Sequence, residues 1–419
     1  MSWPDRTAAA RSTGALLLLS NGHGEDVVAA QLGLALRARG FQVAALPLVG
    51  HGAALRAARI PVVGPRQPMP SGGFVLGRPR ALWQDLRAGL LQLTRAQWRY
   101  VREVAPTCDG LLAVGDIVPL AFAWASGRPY ALVGCAKSDR YRGGRPGSYS
   151  PLERWLLRRP GCRGVWPRDA ITSDNLQRAG VQAHWLGNPM MDALTRADAG
   201  ASLPGHLDGA TVLLLPGSRA EAPRNLTQLA AIARVHAQSE ANRPATARVG
   251  RWLVAAAHAP ETLLASEVDW QWQPDAQQEA CGAWVHADGL QLHTVVEQFP
   301  AAAHAATIGL AMAGTATEQL VGLGKPVISL PGAGPQFTAA FADAQARLLA
   351  GALERAHSVP DAAQRLARLL QDPARRQAMG EAGRAAMGPP GASARIAAAI
   401  AEAWGGRPPD IDHPGPCGL

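Results

Sequence analysis

At 419 residues, 47% of them hydrophobic, the chain is long enough for two separately cored domains and too apolar for wholesale disorder. Its formal charge of +9, carried almost wholly by arginine, favours a polyanionic partner, either nucleic acid or an anionic lipid surface. No RNP-like aromatic motif, zinc finger or basic helical register supports nucleic acid, so a membrane surface is the better expectation. Cys108, Cys135, Cys162, Cys281 and Cys417 show no CxxC or Cys/His ligand spacing, which points to a reducing compartment and no zinc site.

Along the chain, Arg6 and Arg11 precede an apolar run at residues 15–20 that is too short for a membrane span and reads as a first strand. The loop after it carries Asn21, Gly22, His23, Gly24, Glu25 and Asp26. His23 or Glu25 is placed to touch an acceptor or a phosphate, or else Glu25 and Asp26 cap the helix expected at 25–39. A strand at 42–47 follows. Residues 72–102 then mix Phe74, Leu76, Trp83, Leu86, Leu90, Leu91, Leu93 and Trp98 with six arginines. At helical spacing that mixture describes either an interfacial helix or an amphipathic core helix with a solvated arginine face.

Further strands are expected at 110–114, 129–133, 164–166 and 183–186, and helical stretches between them imply a parallel, doubly wound sheet. Asp116 stands at the end of the third strand, where a carboxylate either takes a proton from a substrate hydroxyl or caps the next helix. A Gly/Asp/Ala-rich stretch at 197–209 reads as the domain link. Strands at 211–215, 251–256, 290–292, 306–310 and 326–330 resume the alternation. Two such sheets are expected to face each other across a cleft between their strand C-terminal ends.

Two strand-to-helix turns in the second half share one grammar. In the later one, Gly314, Thr315, Ala316 and Thr317 read as a cradle of backbone N–H groups for a diphosphate, and Glu318 in the first helical turn offers two oxygens to a ribose. In the earlier one, Gly217 lets the backbone approach closely, Ser218 is a natural helix cap and Arg219 is a fork-shaped cation suited to phosphate. Either turn alone is ordinary in an α/β protein; the pair points to a nucleotide diphosphate.

LLPGSR with Glu221, GTATEQ with Lys325-Pro326-Val327, and GNPMMD at 187–192 resemble the lipid-A-disaccharide synthases, and more closely the group related to them. The resemblance covers roughly residues 16–404 and is strongest in the second half. It implies the GT-B type of fold, with two Rossmann-like domains: an acceptor- and membrane-facing domain at 1–196 and a donor domain at 210–392. A last helix at 393–404 would cross back onto the first domain, ahead of a disordered tail at 405–419. The implied reaction is inverting transfer of a sugar, of glucosamine type, from a UDP-sugar to a lipid acceptor at the cytoplasmic face of the inner membrane.

In that frame Asp116 is the base and Arg219 with the Gly314–Thr317 amides stabilises the leaving UDP. Gln336 meets the donor sugar, and Asn188 either contacts the donor or fixes the turn at the domain junction. Docking is expected through 72–102, and no metal or other cofactor is expected. The chain departs from the related synthases in the first loop, where they have Gly-Glu-x-x-Gly-Asp, and at Asp116-Ile117-Val118-Pro119, which lacks a second acid. Two other readings stay open: a UDP-sugar 2-epimerase of the same fold, and a catalytically silent nucleotide-sugar-binding membrane protein.

Overall fold

The computed structural model describes residues 14–67, 69, 79–194, 203–205, 209–218, 220–239, 249–257, 259–276, 281–332, 338–349 and 351–404. The chain divides into two compact units, residues 1–139, 144–193 and 390–419 in one, residues 140–143 and 194–389 in the other.

The first unit is built on a five-stranded parallel sheet of β1 (Gly14–Ser20), β2 (Phe41–Pro47), β3 (Gly110–Val114), β4 (Tyr130–Val133) and β5 (Cys162–Trp166), in the order β2-β1-β3-β4-β5. Leu16, Leu17, Leu18 and Leu19 are all fully buried, so β1 is a continuous apolar run, the pattern of a parallel strand covered on both faces. Ser20 pairs with Val114, so β1 and β3 end level and their loops leave the sheet side by side. The helix Ala392–Ala403 belongs to this unit. The Asp192 carboxylate accepts from the Gly391 and Ser393 N–H groups at 2.5 and 2.6 Å and so holds the start of that helix. The Trp404 indole N–H donates to the Asp109 carbonyl at 3.2 Å at its far end.

The second unit carries an eight-stranded sheet of β6 (Ala210–Leu215), β7 (Val249–Ala256), β8 (Trp270–Pro274), β9 (Gly282–His286), β10 (Gln291–Val296), β11 (Ile308–Ala311), β12 (Val327–Ser329) and β13 (Leu353–Arg355). Its order is β13-β12-β11-β6-β7-β10-β9-β8, with β9 antiparallel to both β8 and β10 and the other pairings parallel. From β6 the chain passes to β7, runs to the far edge at β8 and comes back through β9 to β10, then crosses to the other side of β6 and winds outward through β11, β12 and β13. Leu215 pairs with Ala311, so β6 and β11 also end level.

Several expected elements differ. Residues 183–186 make a single bridge, Ala183 to Val165, rather than a strand. β8 and β9 were not expected; their tryptophans pack on one another, Trp272 against Trp284 at 5.5 Å, and extend the sheet as an antiparallel pair. The segment 79–104 is two helices, Pro79–Arg87 and Leu90–Val104, broken at Gly89, whose φ of +94° suits glycine. The expected link at 197–209 lies mostly outside the described residues, as does the whole tail at 405–419.

Candidate functional site

In open α/β sheets ligands bind beyond the strand C-terminal ends, where neighbouring strands lead their connections to opposite sides. In the second unit that point falls between β6 and β11, and the two sequence-predicted turns follow those strands. Gly217, at φ +97°, sits in the left-handed region that favours glycine, beside the Met312 carbonyl of the neighbouring turn. Gly314 precedes the helix Thr315–Gly322, with Thr315 exposed and Gly314 and Ala316 half-buried. Thr317 is fully buried and donates its hydroxyl to the Ala313 carbonyl at 2.7 Å, so it braces the turn from within. Glu318 is buried in the first helical turn and one of its oxygens accepts from the Tyr141 hydroxyl at 3.4 Å.

Ser218 is exposed and does not cap the next helix, contrary to expectation. That helix begins later, at Ala222 with Pro223 in its first turn; Glu221 occupies the cap position, half-buried, and makes no side-chain cap bond. Arg219 and Gln336 lie outside the described residues. Asn188 is fully buried and its Oδ1 accepts from the Met190 N–H at 3.1 Å, so it fixes the turn.

In the first unit the corresponding point falls between β1 and β3. Asn21 and Asp116 meet there, Asn21 Nδ2 donating to Asp116 Oδ2 at 3.5 Å. The other oxygen, Asp116 Oδ1, accepts from the Val118 N–H at 2.9 Å and caps the helix Ile117–Ala125. Gly115, at φ +121°, lies so close to Glu25 that a Cβ would meet its Cγ at 2.8 Å. The helix His23–Arg37 has Gly22 as its N-cap and no side-chain cap bond, so neither Glu25 nor Asp26 caps it. Asp26 instead accepts from the Ser20 hydroxyl at 2.5 Å. The His23 backbone opens the helix; its side chain is outside the described part of the structure.

Burial dominates the electrostatics. It pushes the Glu25 carboxyl up to about 7, a backbone N–H bond opposing and the Asp116 and Asp26 carboxylates adding to the rise. Asp26 rises to about 6 through burial, with the Ser20 hydrogen bond opposing. Asp116 is raised by burial, against the Val118 N–H, the Lys137 charge and the Asn21 amide. Lys137 is itself paired with Glu153 at 2.5 Å, and Glu153 closes a capping box with Ser150. The sequence reading missed Lys137 and Glu153; a buried acid within a Ser-x-x-Glu capping box was the available signal.

Residues 72–78 lie outside the described part of the arginine-rich segment. The rest is two helices where one stretch was expected, with part of its apolar set turned to the core and arginines exposed on the other side. Leu93 packs inward with Val49 and Met69, and Gln97 donates to the Leu48 and Pro65 carbonyls at 2.9 and 3.1 Å. Trp83 is 62% and Leu91 57% exposed, interleaved with exposed Arg87, Arg95, Arg99 and Arg102. Trp98 stands edge-on to Phe122 at 5.3 Å. On the helix of Phe122, exposed Trp124 packs against exposed Trp155 at 5.7 Å, so outward-facing aromatic groups continue past the segment itself. Among the described residues no helix is long and apolar enough to cross a membrane, and no group of three or more His, Cys, Asp or Glu side chains is placed to hold a metal ion.

No protein-family model and no curated protein sequence matches the chain. Among solved structures, a putative UDP-N-acetylglucosamine 2-epimerase from Listeria monocytogenes is similar with a TM-score of 0.60 and 16% identity, covering 92% of this chain and 95% of that one. The Neisseria meningitidis UDP-GlcNAc 2-epimerase bound to UDP-GlcNAc gives 0.56 and 13%, over 93% and 100%. Spinosyn rhamnosyltransferase gives 0.52 and 17%, over 92% and 99%. At these identities the likeness is one of fold. The chain has two parallel-sheet α/β domains of the GT-B type, the architecture of UDP-N-acetylglucosamine 2-epimerases and of glycosyltransferases.

Proposed function

We propose that the chain is a UDP-sugar-dependent enzyme, with the diphosphate bound by the turns after β6 and β11 and proton transfer carried by Glu25 and Asp116. One observation carries the reading: in each sheet, the loops singled out by their sequence follow the two strands at which the winding reverses. Exposed Thr315 and the Gly217 and Gly314 backbone offer N–H groups to the phosphates, and Arg219 adds charge. Glu318 serves the ribose and exchanges its Tyr141 hydrogen bond for the ribose hydroxyls. Gln336 is assigned to the donor sugar by the motif resemblance alone. The reaction runs without a metal.

Two chemistries fit these groups. A 2-epimerisation removes the sugar's C2 proton as the C1–O bond to UDP breaks, then re-forms that bond to the retained UDP as a proton is delivered to the opposite face of C2, so it needs acid and base groups close together. The buried pair of Glu25, near neutral pH, and Asp116 supplies them, and UDP-N-acetylglucosamine 2-epimerases stand among the structures of similar fold. Inverting transfer to a lipid acceptor needs one base, Asp116. Its support is the motif resemblance to lipid-A-disaccharide synthases and the exposed arginine and tryptophan side chains of the first unit, suited to the cytoplasmic face of an anionic membrane.

The experiment incubates the protein with UDP-N-acetylglucosamine in deuterated water and follows C2 by NMR. Deuterium at C2 with formation of the C2 epimer, no acceptor added, establishes epimerisation. Donor consumption only with a lipid acceptor, C2 hydrogen retained, establishes transfer. Neither reaction, together with stabilisation by UDP, identifies a silent nucleotide-sugar binder. Absence of stabilisation by any UDP compound overturns the reading altogether.

A further inference from the structure

The turns after β6 and β11 are each held from inside by a carboxamide. Asn225, on the helix Ala222–Gln238, donates Nδ2 to the Pro216 carbonyl at 2.8 Å. Gln345, on the helix Ala339–Leu348, donates Nε2 to the Ala313 and Gly314 carbonyls, both at 3.2 Å. Asn225 is 1% and Gln345 0% exposed, so a bound ligand touches neither.

A trans peptide points its N–H opposite to its C=O. Drawing the carbonyls of Pro216, Ala313 and Gly314 inward therefore turns the N–H groups of Gly217, Gly314 and Thr315 outward. The opposite setting of those planes would present carbonyl oxygens and repel an anion. The second atom of each carboxamide, Asn225 Oδ1 and Gln345 Oε1, is buried and has no hydrogen-bond partner among the described residues. A core that needed only volume would be better served by leucine or methionine, since an unsatisfied buried acceptor is costly.

We infer that Asn225 and Gln345 are positioning residues for a nucleoside diphosphate, setting the peptide planes whose amides bind its phosphates. The inference rests on the UDP-binding reading above and extends it. Asn225→Leu keeps the branched outline and Gln345→Met the approximate length of the side chain, and both remove the donor. The full chain and each variant are titrated with UDP and, at millimolar concentration, with uridine, which lacks phosphates. The expected result is UDP binding weakened at least about tenfold, the equivalent of a single lost hydrogen bond, with uridine binding unchanged. UDP affinity that stays the same, or falls together with uridine affinity as a merely structural role predicts, overturns the inference. The two residues lie on different helices and are tested separately, so each position is decided independently of the other. If the unmodified chain binds no nucleoside diphosphate, the functional reading fails as well; if it binds UDP and the variants bind equally, the positioning role alone fails.

Discussion

Asp116 uses its two carboxylate oxygens for different work, which makes its roles separable. Oδ1 caps the helix Ile117–Ala125, while Oδ2 faces Asn21. Asparagine caps as well as aspartate but cannot take a proton. Asp116→Asn should therefore melt near the unmodified protein and lose about 10²–10⁴-fold in kcat, with UDP affinity unchanged. Asp116→Ala should show the same kinetic loss plus a stability cost of about 1 kcal/mol from the missing cap. Equal activity in the Asn variant would remove Asp116 from the chemistry and leave it a cap. Glu25 makes a prediction with a definite sign. Its pKa in the folded protein, about 7, stands above its ordinary value of 4.5, so folding favours the protonated form. Its contribution to stability is full below pH 4.5 and is lost as the pH rises through 7, the whole window amounting to on the order of 3 kcal/mol. Asp26, raised to about 6, contributes a fall of the same sign below pH 6, so Glu25→Gln should reduce the slope of melting temperature against pH chiefly between 6 and 7; a profile still falling as steeply there would assign the loss to another group. The sequence showed Glu25 and Asp116 as separate motif residues. Their nearness was hidden because it depends on β1 and β3 being sheet neighbours, with Ser20 level with Val114.

At the scale of elements, legibility followed the signal each element leaves in its own residues. The strand at 110–114 matches its expected bounds because GLLAV is a buried run closed by glycine and aspartate. β8 and β9 were missed because Trp270–Pro274 alternates tryptophan with glutamine and proline, and its pairing partner Gly282–His286 decides its fate. Asn225 and Gln345 were invisible for a related reason: each acts on a turn from a different helix, and nothing local to an Asn or Gln reports which carbonyl it will meet. The arginine-rich helices show the limit of a composition argument, since one apolar list divides into Leu93 facing in and Leu91 facing out. That division predicts opposite consequences for similar changes. Leu93→Ala should cost about 2–3 kcal/mol of stability and leave binding to anionic vesicles unchanged. Trp83→Ser with Leu91→Ser should leave the melting temperature within about 1 °C, as exposed substitutions do, and release the protein from vesicles in a flotation assay. On the proposed membrane reading, vesicle binding that survives the double change would be assigned to Trp124 and Trp155, and no vesicle binding by the unmodified protein would remove that reading.

At the scale of the whole molecule, the last described helix, Ala392–Ala403, joins the unit that the chain began with rather than the one it has just completed. Its inward side chains Ile396, Ala397 and Ile400 are fully buried, its start is fixed by Asp192, and the Trp404 indole covers Gly110 so closely that a Cβ there would lie 2.3 Å from it. Removing residues 390–404 therefore strips apolar cover and two charge-assisted hydrogen bonds from the first unit while leaving every strand of the second intact. The turns proposed to bind the nucleotide lie in the second unit, so a ligand bound there and this helix should report on different parts of the protein. In the truncated chain the melting of the first unit should fall by several degrees, followed through the tryptophans Trp98, Trp124 and Trp155. The second unit should still gain about 2.7 kcal/mol at a UDP concentration a hundred times the dissociation constant. If the truncated chain bound UDP no longer, the nucleotide site would depend on more than the turns after β6 and β11. The measurement is a pair of calorimetric scans, with and without UDP, on the full and shortened chains.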